Sequence, residues 1–98
     1  MKEIIKNMDR AFDSRVRLAI MALLQKEEWI DFNEMKLRLG VTDGNLASHM
    51  ASLEKKKFVE VNKQFINKRP NTSYKITTTG KASFEEYLTA LKKLLHLK

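Results

Sequence analysis

Thr42-Asp43-Gly44-Asn45-Leu46-Ala47-Ser48-His49-Met50-Ala51-Ser52-Leu53 is the stretch on which the reading of the whole chain turns. Thr42 stands where a helix N-cap belongs, and Leu46, Met50 and Leu53 recur at four and three residues, so they share one buried stripe. The stripe predicts a helix running to about Lys56. Just upstream, Gly40-Val41 reads as a tight turn. Before it, Phe32, Met35 and Leu39 form the inward face of a brief helix capped by Asp31. Two short helices joined by a tight turn are therefore expected across Phe32 to Lys56.

Working outward, Val16, Ala19, Ile20, Leu23 and Leu24 put one apolar face on a helix from Asp13 to Lys26, and Trp29-Ile30-Asp31 is a short extended piece. Past Lys56 the period changes to two. Val59, Val61, Tyr74 and Ile76 alternate within two β-like segments, Phe58 to Phe65 and Thr72 to Ile76, around a polar loop Asn67-Lys68-Arg69-Pro70-Asn71. Thr77 or Thr78 then caps a long helix to about Leu97. Helix, short strand, helix, turn, helix, hairpin, helix is the order of a winged helix-turn-helix. The expected class is mainly α with a small β-hairpin (α+β), one domain over 1–98, its core at about 12–77 and terminal helices at 1–11 and 78–98.

Composition bounds the chemistry. Ninety-eight residues make one small domain that buries roughly two-thirds of its unfolded surface, so it has little excess stability. There is no cysteine for a disulfide or a thiolate metal site, and oligomerisation is a common remedy in chains of this size. The start, MKEIIKNMDRAF, breaks its apolar positions with charges, unlike a signal peptide. No apolar run is long enough to span a bilayer, so the expected setting is the cytoplasm, with no membrane partner. The net charge of +7 points to an anionic partner, or to solubility alone. Its distribution favours the former. Six basic residues balance six acidic ones from Met1 to Asn33, whereas eight face four from Glu34 to Arg69, across the paired helices and the hairpin.

From Phe12 to Leu95 the chain resembles the small winged-helix DNA-binding regulators of the MarR-like and ArsR-like families. The resemblance is carried by Ser14-Arg15-Val16-Arg17-Leu18, Asp31-Phe32-Asn33-Glu34-Met35, Leu39 through Leu46, Ser48-His49-Met50, Leu53-Glu54, Phe58-Val59-Glu60-Val61 and Tyr74-Lys75-Ile76-Thr77. Lys57 departs from it, since such proteins commonly place glycine there to end the recognition helix. Either the lysine accepts a left-handed backbone or the helix ends differently.

In such a motif the second helix enters the major groove. A wheel places Gly44, Ser48, Ala51 and Lys55 opposite the buried stripe, with Asn45, His49, Ser52 and Lys56 adjoining them. Asn45 can pair with adenine or merely serve the helix start. Gly44 is expected to serve backbone packing within the motif, with close approach to the groove as the second reading. His49 is either packed at the edge of the stripe or a DNA contact. Lys55 and Lys56 suit phosphates, and Thr42 and Asp43 complete the helix start of the DNA-facing set. On the hairpin, Arg69 leads, then Lys68 and Lys63, because arginine suits a narrow minor groove. Arg15, Arg17, Lys36 and Arg38 are candidates for flanking phosphates, and the resemblance supports Arg15 most.

Phe84, Tyr87, Leu88, Leu91, Leu94 and Leu95 form an apolar seam on the last helix, and Ile4, Ile5 and Met8 a second set near the start. Part of both must pack within the monomer; the remainder predicts a homodimer, and the resemblance implies pairing through terminal helices. No cofactor is expected. With only His49 and His96 as histidines, a metal site would rest on carboxylates, and no suitable cluster appears. A small-molecule effector at the dimer interface has no sequence signature. Catalysis is disfavoured: adjacent helical Ser48 and His49 diverge by about 100°, and the three glycines build no phosphate loop. The expected function is therefore sequence-specific duplex DNA binding by a transcriptional regulator, in the sense of a repressor. The alternative is a winged-helix protein–protein interaction module.

Overall fold

The computed structural model describes residues 1–96. Helix α1 (Lys2–Lys6) and a 3-10 turn (Arg10–Phe12) lead into α2 (Arg15–Lys26), β1 (Ile30–Asp31), α3 (Phe32–Leu39) and α4 (Asp43–Lys55). Strands β2 (Val59–Ile66) and β3 (Arg69–Ile76) and the long α5 (Thr78–Leu95) complete the order. The expected end of that helix at Leu97 lies outside the described residues.

Four helices begin on a side-chain cap. Ser14 Oγ accepts from the Arg17 N–H at 3.2 Å, Asp31 Oδ1 from Glu34 at 2.7 Å, Thr42 Oγ1 from Asn45 at 3.1 Å, and Thr77 Oγ1 from Gly80 at 2.8 Å. Each such cap contributes about 1 kcal/mol by satisfying a backbone donor that the helix cannot. The first core helix accordingly starts at Arg15, two residues later than expected, because Ser14 rather than an earlier residue supplies the cap. Thr77, not Thr78, opens α5.

The turn between α3 and α4 rests on Gly40 at φ 65°, with the Gly40 and Val41 N–H groups both donating to the Lys36 carbonyl. At the other end of α4, Lys57 adopts φ 63°. The Phe58 N–H reaches the Leu53 carbonyl at 2.9 Å and the Lys57 N–H the Glu54 carbonyl at 2.8 Å. This is a Schellman end with lysine at the left-handed position, closed by buried Leu53 and Phe58. The chain thus keeps the geometry and does without the glycine.

The sheet is antiparallel in the order β1-β3-β2. Its hairpin differs from expectation at the tip. In place of a five-residue loop, Ile66 pairs with Arg69 and only Asn67-Lys68 turn, at φ 52° and 65°. Positive φ at both positions is the type I′ geometry that matches strand twist. Pro70 is accommodated inside β3 for a geometric reason. It pairs with Phe65 next to the hydrogen-bonded Ile66–Arg69 pair, so its nitrogen faces away from β2, and β1 reaches only Ser73 and Tyr74 on that side.

One core joins these elements: Ile20, Met21 and Leu24 of α2, Met35 of α3, Leu46, Met50 and Leu53 of α4, and Val59 and Tyr74 of the sheet. At its N-terminal edge Phe12 stacks on Phe58 at 5.5 Å and meets Phe84 and Tyr87 edge-on at 5.5 and 5.3 Å. Phe84 and Tyr87 were expected in an intermolecular seam; instead their own chain buries them. The aromatic ring set has a simple cause: the 3-10 turn inserts Phe12 between the end of α4 and the inner face of α5. Leu91 also packs partly on the core, leaving Leu88 and Leu95 as the exposed leucines of α5, with Leu94 half-buried. On α1, Ile5 is exposed, while Ile4 and Met8 are half-buried.

A clamp ties α5 to the end of α4. The Thr77 N–H donates to the Phe58 carbonyl at 3.0 Å, and the Thr77 hydroxyl donates to the Lys57 carbonyl at 2.7 Å. Gly80 lies against the same turn, where a Cβ would come within 2.1 Å of the Phe58 oxygen.

Candidate nucleic-acid interface

The buried stripe Leu46, Met50 and Leu53 fixes the rotation of α4, and Thr42, Asp43, Gly44, Asn45, Ser48, Ser52 and Lys55 are left in solvent. Among the described residues the Asn45 carboxamide has no side-chain hydrogen bond within the chain; only its backbone N–H is used, by Thr42. Nothing lies within 4 Å of where a Cβ on Gly44 would stand. The packing role expected for Gly44 is therefore overturned: the position opens outward, and the absence of a side chain leaves the helix start flat. Ser52 turns its hydroxyl back to the Ser48 carbonyl at 3.3 Å.

His49 sits at the edge of the stripe, half-buried, with Nδ1 3.1 Å from an Arg17 guanidinium nitrogen. Arginine can only donate, so Nδ1 accepts and a neutral ring carries its proton on Nε2. Burial, and secondarily the Arg17 charge, hold the His49 pKa below its ordinary value. Arg17 also donates from Nε to the Ala11 carbonyl, which fastens the 3-10 turn to α2 and, through His49, to α4. Its role as a free phosphate contact is therefore not what the geometry presents.

The other cations singled out from the sequence divide into two groups. Lys36 pairs with Asp43 at 2.8 Å, bridging α3 to the start of α4, and Arg38 pairs with Glu27 at 2.6 Å and lies 3.9 Å from Glu34. Lys56 reaches back to Asp9 at 3.1 Å and lies over the Phe58 ring. These three brace elements against one another. Arg15, Lys55, Lys63, Lys68 and Arg69 are exposed and have no carboxylate partner among the described residues. Of the cations singled out from the sequence, those left available to a ligand lie at the end of α4, the start of α2 and the hairpin.

Sequence reasoning did not single out Asp9 or Arg10. With Ala11, Arg17, Ser52, Lys55 and Lys56 they line an open cleft of about 400 Å³ between the N-terminal segment and the second half of α4. Asp9 carried a signal, since an aspartate accepting from the N–H two residues on marks a turn, and it does so to Ala11 at 2.8 Å. The Tyr74 pKa is raised by burial and by the Glu54 charge, which keeps the phenol neutral beneath α4.

A capped helix with a flat polar outer face, held by a preceding helix and flanked by a cationic hairpin, is a specific arrangement. Residues 16–95 match the winged helix DNA-binding domain family. The chain belongs to that family. An uncharacterised protein from Methanocaldococcus jannaschii is 41% identical over 85 residues, covering 87% of this chain and 92% of that protein. Among solved structures, a transcriptional regulator homologue from Pyrococcus horikoshii OT3 superposes with a TM-score of 0.84 at 34% identity, covering 96% of this chain and 91% of that one. A mutant MarR from E. coli complexed with operator DNA gives a TM-score of 0.72 at 25% identity; 85% of this winged-helix chain aligns with 59% of the MarR chain. The fold is that of MarR-type transcriptional regulators, and among the described residues no helix is long and apolar enough to cross a membrane.

Proposed function

We propose that this winged-helix chain is a transcriptional regulator, in the sense of a repressor, that binds double-stranded DNA sequence-specifically as a homodimer. The observation that carries the reading is the division of the cations. Lys36, Arg38 and Lys56 are engaged by carboxylates, whereas Lys55 on α4 and the hairpin's Lys63, Lys68 and Arg69 stay unpaired, and the start of α4 presents the open carboxamide of Asn45 and the exposed Ser48. In this reading residues 42–56 lie in the major groove, Asn45 and Ser48 address base edges, and the wing over 62–72 follows the adjoining minor groove or backbone. Arg15 takes a flanking phosphate. Likeness to a MarR protein seen on operator DNA supports the reading of duplex DNA as the partner.

Dimerisation is part of the proposal. Ile5, Leu88 and Leu95 are exposed on the terminal helices, at 55%, 41% and 72%, and an apolar surface of that kind calls for a cover. Pairing through those helices would set two recognition helices about a symmetry axis, with half-sites one helical turn apart, about 34 Å.

Selection of bound fragments from a random duplex pool, followed by a salt titration on the winning sequence, tests the reading. Expected outcomes are a pseudo-palindromic site and an affinity that falls steeply with salt, since each neutralised phosphate releases counterions. Repeating the selection with Asn45→Ala should relax preference at one position per half-site, by roughly 1–3 kcal/mol. No enriched sequence and a flat salt dependence would remove the DNA reading.

A further inference from the structure

Beyond Val61 opposite Tyr74, where the core ends, the hairpin continues through five more pairs to its two-residue turn. At about 3.3 Å per residue that is a free-standing ribbon of roughly 17 Å. The turn, with Asn67 and Lys68 both at positive φ, holds the ribbon in one register. Near its apex Phe65 is 77% exposed and stands cross-strand from Pro70, so one face of the tip is an aromatic ridge backed by a ring that cannot bend away. The fold makes no use of that ridge.

Its surroundings have one sign. Between Glu60 and Glu85 the sequence holds no carboxylate, while Lys63, on the same face as Phe65, and Lys68 and Arg69 at the turn are cationic. An occupant complementary to this tip presents close rows of anions with an apolar slot between them. Duplex DNA does so at its minor groove, where phosphates flank the stacked edges of the bases.

We propose that Phe65, backed by Pro70, is a wedge that enters the minor groove and opens a base step, bending the duplex, while Lys63, Lys68 and Arg69 hold the phosphates on either side. The inference rests on the DNA reading above and adds a residue to it. Apolar side chains inserted this way unstack a step and kink DNA by roughly 20–90°. Pyrimidine–purine steps yield most easily, so Phe65 sets a preference at a position where it makes no hydrogen bond.

The test uses the full chain and a selected duplex of about 30 base pairs, carrying donor and acceptor dyes at its two ends. Binding of the unaltered protein should raise energy transfer. Phe65→Ala, whose melting temperature should be unchanged because the side chain packs on no core residue, should bind about tenfold more weakly, show no rise in transfer and lose the step preference. Phe65→Leu should retain most of the bend. Arg69→Ala should lower affinity and reduce the salt slope by about one contact while keeping it. Binding without a rise in transfer, or a full bend by Phe65→Ala, overturns the wedge and leaves the DNA reading intact. No binding of the unaltered chain to any duplex removes both. Phosphatidylserine vesicles form the second arm; capture that depends on Phe65 there, with an undistorted duplex, assigns the tip to a lipid surface and overturns the proposal.

Discussion

At Gly80 the backbone of α5 touches the backbone of the turn that ends α4, and a methyl group there would lie 2.1 Å from the Phe58 carbonyl oxygen. Neither side is a flexible side chain, so relief requires the clamp at Thr77 to open. Gly80→Ala is expected to destabilise the protein by about 3 kcal/mol, a fall of roughly 10–20 °C in melting temperature for a chain this size, read by thermal denaturation. Gly44, with open space at its Cβ position, should accept alanine with no such loss. A different single-residue effect belongs to His49. Its pKa lies below the ordinary 6.5 in the folded protein, so the unfolded chain binds the proton more readily. Stability is therefore fully present above about pH 6.5 and declines as pH falls below that value towards the folded pKa. Urea denaturation across pH 7.5 to about pH 5 should show this decline, and His49→Gln should flatten it.

The elements themselves were largely legible, because their signals are local. Ser14, Asp31, Thr42 and Thr77 cap helices where a hydroxyl or carboxylate precedes an apolar stripe, and such a cap acts within three residues. The hairpin was legible in existence and not in length. A two-residue turn of this kind is announced by glycine, and here Asn67-Lys68 adopt it without one. Pro70 also reads as a loop residue until the sheet order shows that its nitrogen faces an open edge. At Lys57 the sequence left two readings open, and the Leu53–Phe58 closure decides for the left-handed one, at φ 63°. Lys57→Gly should therefore stabilise α4 by up to about 1 kcal/mol, and Lys57→Val should destabilise it by more, both measured by chemical denaturation. A gain from valine would contradict the assigned helix end.

Across the whole molecule the open question was which apolar residues cover one another. Periodicity on α5 marks Phe84, Tyr87, Leu88, Leu91 and Leu95 alike, yet Phe12 takes the first two and leaves Leu88 and Leu95 in solvent. Paired substitution Leu88→Glu with Leu95→Glu is expected to leave the circular dichroism and melting of the winged core intact while converting a dimer to a monomer with weakened operator binding. In a twofold interface each new charge meets its own copy. Sedimentation and spectroscopy on the same sample separate the outcomes. An unfolded chain would assign these leucines to the core, and an unchanged dimer would place the interface elsewhere.

The division between sequence and structure follows from range. Caps, stripes and the switch of period from three-and-four to two are local, and by themselves they determined the element order, the buried stripe of α4 and the basic bias from Glu34 to Arg69. Which cations remain available was decided only in three dimensions, because a charge is consumed by whichever carboxylate the fold brings near. Lys36 meets Asp43, Arg38 meets Glu27 across eleven residues, and Lys56 meets Asp9 near the N-terminus. The hairpin cations escaped that fate for a reason that joins both levels: no carboxylate follows Glu60 before Glu85 in sequence, Glu60 lies on the opposite face of β2 from Lys63, and a ribbon standing clear of the core brings no other to them in space.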